Sequence, residues 1–340
     1  MTSWNTVTDT ATDTAIGAAD VAAAATRLAG HVVRTPLLEN AALNRAVGGR
    51  LLLKPEMLQT TGSFKFRGAS NAVLQLDAER RARGVIAFSS GNHAQGVAAA
   101  AKLNGVDALI VMPDDAPAVK RAGTAAWGAE IVDYDRKGGV SREAVAAKLA
   151  DDRGLTLIRP YDEPAVMAGQ GTVGLEIAEQ AAGLGLVPDL VLVPCGGGGL
   201  TAGVATALAA QCPRARVHPV EPQGFDDTAR SLAAGERLAN DGVESGYCDA
   251  LLAPQPGALT FAVNRRLCGP GLVVSDADVR VAMHAAFSQL KLVAEPGGAV
   301  ALAAALAGKV DLKDRVAVVV LSGGNVDPAV YTAALQAADT

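Results

Sequence analysis

Short apolar, β-branched runs alternate with alanine-rich stretches along most of this chain, and few folds accept that alternation. The clearest strand candidates are Gly84–Phe88, Ala108–Met112, Glu130–Asp133, Leu155–Ile158, Asp189–Val193, Arg216–Val220 and Arg315–Leu321. Between them the pattern predicts helices over Ala94–Asn104, Ala116–Gly128, Ser141–Arg153, Gly171–Gly183 and Thr201–Ala210. Strands that are apolar throughout must be buried on both faces, which means parallel sheets covered by helices. The expected class is α/β. The chain has 340 residues, 50% of them hydrophobic, more than one core needs, so two lobes are expected.

Composition removes several partners. The net charge is -5 and no basic stripe is present, so a nucleic-acid partner is not expected. Cys195, Cys212, Cys248 and Cys268 form neither a C-x-x-C pair nor a zinc-spaced cluster, and reduced thiols in a cytoplasmic protein are expected. The first 26 residues hold no Lys or Arg, so no signal-peptide start is read there. No apolar run reaches the roughly 18 residues of a membrane span. Residues 1–16 read as a frayed tail.

In parallel sheets, ligands bind beyond the carboxyl ends of the strands. Cys195-Gly-Gly-Gly-Gly-Leu200 lies at such a place and opens a helix, so successive main-chain N–H groups can converge on a phosphate. It lacks the Lys-Ser/Thr of a nucleoside-triphosphate loop. Ser89-Ser-Gly-Asn-His-Ala-Gln-Gly96 offers hydroxyls, an amide and a helix start, which suit a carboxylate; helix capping explains one serine of it. In Ser63-Phe-Lys-Phe-Arg-Gly68, a Ser/Gly turn sets a lysine between two phenylalanines. Apolar surroundings lower a lysine's pKa and make its amine nucleophilic. Ser322-Gly-Gly-Asn325 again follows an apolar strand.

With Val220-Glu221-Pro222, and in this order, these motifs resemble those of the fold-type II pyridoxal phosphate enzymes, specifically the threonine/serine dehydratases and serine racemases. The resemblance covers about Ala18 to the C-terminus. It implies a tryptophan synthase β-subunit-like fold of two parallel-sheet α/β domains, a large one from 17–57 and 160–340 and a small one from 58–159 that closes on the substrate. It implies that Lys65 carries pyridoxal 5'-phosphate and acts in catalysis, and that Phe64 lies against the ring. Asn92 would bond the ring's phenolic oxygen, Gly196, Gly197, Gly198, Gly199 and Leu200 would hold the phosphate, and Ser322 would face the ring nitrogen. Ser89, Ser90, Asn92 and His93 would bind the substrate carboxylate, with Ser90 also placed as an acid on the second face. Arg142 aligns with a ligand-responsive residue of the racemases, although a solvated helix arginine would look the same.

The expected reaction is loss of water and ammonia from L-threonine, L-serine or a related β-hydroxy amino acid. Serine racemase and hydroxyaspartate dehydratase are alternatives, and a non-catalytic phosphate-sensing module is the rival outside enzymology. Ser245–Gly257 departs from the better-known members and is similar to dehydratase-like proteins of hydroxyectoine breakdown. Too little chain follows Asn325 for a regulatory domain, and a homodimer is expected. Glu221, the carbonyl of Phe225 and Asp227 offer hard oxygens suited to Mg²⁺ or Ca²⁺, a site the racemase resemblance also implies; the alternative is an acidic turn with Asp226 or Asp227 capping the next helix.

Overall fold

In chain order the strands are β1 (Leu38–Glu39), β2 (Arg50–Pro55), β3 (Val85–Phe88), β4 (Ala108–Pro113), β5 (Glu130–Tyr134), β6 (Thr156–Leu157), β7 (Leu190–Pro194), β8 (Arg216–Pro222), β9 (Leu272–Val274) and β10 (Val316–Leu321). They come from a computed structural model that describes residues 15–116, 118–135, 139, 141–240 and 246–337. Most of the tail expected over 1–16, and Ser245, lie outside the described residues.

Two sheets form. One has the order β1-β2-β10-β7-β8-β9, the other β5-β4-β3-β6. Every pairing is parallel except β1 with β2. In the larger sheet Leu321 pairs with Pro55, and Pro194 with Val220, so the carboxyl ends of four neighbouring strands finish level. The segments at and after those ends carry the Lys65, glycine-loop, Glu221 and Ser322 motifs, while the Ser89 motif follows β3 of the smaller sheet.

Helices cover both sheets and bury their apolar surface there. The helix Pro164–Gly183 is the central one. An added Cβ at its Gly169 would stand 2.7 Å from Gly68 Cα, and one at its Gly171 2.9 Å from the Gly203 carbonyl. Helices Lys65–Leu74 and Gly199–Gln211 therefore lie main chain to main chain against it. Pro164 fits because the first helical position has no N–H partner to lose.

A charged network is sealed beneath the Lys65–Leu74 helix. Arg67 donates to Glu56 at 2.7 Å and to Glu176 at 2.6 Å. Lys54 Nζ donates to Glu176 (2.6 Å), Gln180 (2.9 Å) and the Thr35 carbonyl (2.7 Å). Arg67, Lys54 and Glu56 are fully buried, and such charges survive burial only when paired and hydrogen-bonded.

Candidate active site

The Lys65 segment is not the turn its Ser/Gly content suggests: Lys65 is the first residue of the helix Lys65–Leu74. The turn lies just before it, where Gly62 takes the left-handed conformation with φ +72°. Three contacts fasten this segment to the loop after β10. Ser63 bridges Gly323, Phe64 N–H donates to the Ser322 carbonyl at 3.1 Å, and Gly324 N–H donates to the Gly62 carbonyl at 2.9 Å. Two motifs far apart in sequence become neighbours this way. Lys65 Nζ donates to the Pro160 carbonyl at 2.6 Å and lies 5.2 Å from the centre of the Phe64 ring. Burial, with no acid set against it, lowers its pKa to about 8.

The glycine loop Gly196–Gly199 follows β7 and leads into the helix Gly199–Gln211. The first N–H groups of a helix have no partner within it, and here they open on the cleft that Lys65 enters. Gly198 has φ +90°, which a side chain would strain. Thr260 Oγ1 donates to the Gly197 carbonyl at 2.7 Å, and Asn264 Nδ2 to the Gly198 carbonyl at 3.3 Å. Those carbonyls are thus drawn toward the helix Ala258–Leu267. A Cβ on Gly197 would fall 2.4 Å from the Tyr161 ring, so the cradle has no room for one.

Ser89-Ser-Gly follows β3 and opens the helix Asn92–Leu103. Neither serine caps it; Ser89 Oγ accepts from Gly91 N–H at 3.1 Å. Asn92 is held from both sides, donating to Glu295 at 2.5 Å and accepting from Asn325 at 2.9 Å. His93 Nε2 lies 3.0 Å from the Ile158 carbonyl, and burial lowers the imidazole's pKa to about 3. A neutral, turned-away ring cannot offer charge to a carboxylate, so what His93 can present is its main-chain N–H. Ser89, Ser90, Asn92, His93, Lys65, Phe64, the glycine loop, Leu200 and Ser322 all line one cleft.

Residues the sequence motifs do not announce line it as well. Lys120 is bonded to Asp249 and stands 4.0 Å from Glu295 Oε2, an oxygen with no hydrogen-bond partner. Burial raises the Glu295 pKa to about 7, against the pull of Lys120. Arg142, which the resemblance does single out, enters the cleft too, its guanidinium 5.6 Å from the Phe88 ring centre. The one sequence signal for Glu295 is that it is the acid before Pro296, which opens the charge-free helix Pro296–Leu306. Lys120 has none.

A buried lysine amine, a main-chain anion cradle with no room for a Cβ at Gly197 or Gly198, and a polar wall of Asn92 and Ser322 fit pyridoxal phosphate. The family model described as pyridoxal-phosphate dependent enzyme matches residues 28–323. The chain belongs to that family. Members catalyse reactions, which disposes of the non-catalytic phosphate-sensing module. The chain is 42% identical to an L-threo-3-hydroxyaspartate ammonia-lyase of Saccharomyces cerevisiae over 308 residues, 91% of this chain and 93% of that protein. Among solved structures, a threonine deaminase from T.th. is similar at TM-score 0.86 and 45% identity, covering 92% of this chain and 99% of that one. Maize serine racemase is similar at TM-score 0.87 and 38% identity, covering 95% and 97%. The fold-type II architecture is therefore shown. No described helix is long and apolar enough to cross a membrane.

The acidic turn after β8 differs in part from its sequence reading. Neither Asp226 nor Asp227 caps the following helix Asp227–Ala234 through its side chain. Glu221 does so from the strand end, accepting from Thr228 N–H at 2.9 Å and Ala229 N–H at 2.7 Å. Asp227 Oδ1 accepts from Asn240 at 2.7 Å, while its buried Oδ2 has no partner. Burial and the charge of Asp227 raise Glu221 well above the usual carboxylate range, and burial raises Asp227 to about 6. Two facing buried acids with an unpartnered oxygen fit a divalent cation, which would relieve both. Among the described residues, no cluster of three or more acidic, histidine or cysteine side chains has metal geometry, so a carbonyl such as that of Phe225 would have to complete the set.

Proposed function

We propose that this enzyme eliminates water from a small β-hydroxy amino acid, L-threonine or L-serine, to give a 2-oxo acid and ammonia. The carrying observation is Ser322, whose backbone is fixed to Phe64 at the close of β10, next to Lys65. When bound, pyridoxal phosphate supplies a conjugated ring that takes up electron density from the substrate's Cα. A serine hydroxyl facing the ring nitrogen cannot keep it protonated as an aspartate would. Loss of a β-substituent then competes well with any reaction that must store that density.

Lys65 would hold the cofactor, and its amine, lowered to about 8, is a base for the substrate's α-proton. The Pro160 carbonyl orients that amine. Ser89, Ser90 and the N–H groups at the start of the Asn92 helix take the substrate carboxylate. Asn92, steadied by Glu295 and Asn325, keeps an N–H for the cofactor's phenolic oxygen. Ser90, on the second face, allows some racemisation. The enamine product hydrolyses in water. Residues 58–159 bring the serine loop, Lys120 and Arg142 to the cleft, and closure of this lobe on the large one would exclude water. Glu221, the Phe225 carbonyl and Asp227 would hold Mg²⁺ or Ca²⁺, and the proposed working unit is a cytoplasmic homodimer.

Lys120 and Arg142 favour a second reading within the same chemistry. Two cations lining the cleft, now paired with Asp249 and Glu143, suit a substrate with a second carboxylate, such as hydroxyaspartate. Assay of L-threonine, L-serine and L-threo-3-hydroxyaspartate for 2-oxobutanoate, pyruvate and oxaloacetate decides between them. Conversion of none, with D-serine formed from L-serine, would make racemisation the main activity and overturn the proposal.

A further inference from the structure

Away from the cleft, a cavity of about 680 Å³ lies between the helix Asp227–Ala234, the last turn of the helix Ala258–Leu267 and the start of β8. Arg214, Arg216, Arg265 and Arg266 line it, and among the described residues no acidic side chain does. In a chain of net charge -5, guanidinium groups gathered in one concavity repel one another. Two of them, Arg265 and Arg266, are favoured by the carboxyl end of their own helix. That explanation does not reach Arg214 and Arg216, which belong to the facing wall.

The wall is built tightly. Gly269 N–H donates to the Val217 carbonyl at 2.8 Å, and a Cβ on Gly269 would lie 2.8 Å from Arg216 Cδ and 2.7 Å from His218 Cε1. The Arg216 stem is thus pressed against main chain, and its guanidinium gives up little freedom on meeting a ligand. His218 stands behind, its Nδ1 on the Pro270 carbonyl at 2.8 Å and its buried Nε2 without a partner. Planar, forked donors lining one concave surface match phosphate oxygens in charge and shape.

We infer that this cavity binds a phosphate-bearing anion of two or more negative charges, at a site separate from the cofactor's. The argument rests on Arg214, Arg216 and Arg265. Asn264, which holds the Gly198 carbonyl, directly precedes Arg265, so the anion would sit one residue along the same helix from the glycine cradle.

Calorimetric titration of the holoenzyme tests this, because the cofactor's own phosphate then fills the glycine loop. Inorganic pyrophosphate should bind saturably to one site and more tightly than succinate. Arg216→Gln and Arg265→Gln should each weaken it about tenfold, with the visible spectrum of the bound cofactor unchanged. Arg214→Gln, a change in an exposed connecting loop, gives the same comparison if the other variants fold poorly. Absence of saturable binding, equal affinity for succinate, or unchanged affinity in the Arg214→Gln and Arg216→Gln variants would overturn the inference.

Discussion

Lys54 and Lys65 are both taken out of water, yet one is locked in an ionic network and the other is the amine proposed to react. Lys54 spends its three N–H bonds on Glu176, Gln180 and the Thr35 carbonyl. Burial lowers its pKa, but Glu176 and Glu56 pull in the opposite direction. Lys65 has a single carbonyl acceptor and no acid, and burial alone brings it to about 8. A buried amine is made available by withholding a counter-charge, and inert by supplying one.

The largest test of that contrast is Lys65→Ala. Turnover should fall by about 10³-fold or more, with loss of the visible cofactor band and little change in thermal stability. A variant that still carries a covalent, borohydride-reducible cofactor would show that another amine holds it. Glu56→Ala should do the reverse. It takes one of two carboxylate partners from the buried Arg67, leaving only Glu176, and should cost about 3 kcal/mol of stability, read by denaturant unfolding. If Glu56→Ala unfolds at the wild-type midpoint, the sealed network is not what secures the Lys65 helix.

Glu295 sharpens the comparison as the acid placed near the reactive side. Its folded pKa, about 7, lies above the unfolded value near 4.5, so the folded state binds the extra proton. Cofactor-free protein should therefore lose stability as pH rises from about 4.5 to 7, by on the order of 2–3 kcal/mol from this group. Glu295→Gln should flatten that slope, and parallel pH curves for the two proteins would remove Glu295 as its source. The smallest expected effect is at the acidic turn. Chelation should lower the thermal midpoint by a few degrees and Mg²⁺ should restore it, with Asp227→Asn insensitive to both. Elemental analysis finding no bound metal, together with an unmoved midpoint, would count against the cation.

Much of this is legible in the chain because it is local. Apolar runs with flanking turn residues mark β3, β4, β7, β8 and β10 to within two residues at either end, and the motifs that follow them converge on one cleft. The failures have physical causes. Gly68, Ser70 and Asn71 are poor helix formers, yet all are buried within the Lys65 helix, where packing overrides propensity. The sequence pattern starts a helix at Gly171 although that helix begins at Pro164, because proline reads as a break unless it is placed at the first turn. The short β1 and β9 carry too few residues to show a period. Lys120, Asp249 and Glu295 meet only through the tertiary fold, and the sole local signal among them is Glu295's place before Pro296.

The glycine contacts of the helix Pro164–Gly183 act as a gauge block. Lys65 starts a helix that rests on its main chain at Gly169, and the glycine loop leads into a helix that rests on it at Gly171. The distance from the proposed covalent anchor to the proposed phosphate grip is thus set by close approaches of main chain at Gly169 and Gly171. A rigid cofactor tolerates little error in that length. Adding one methyl group at either contact would change the calibration of the site without touching a residue that meets the cofactor.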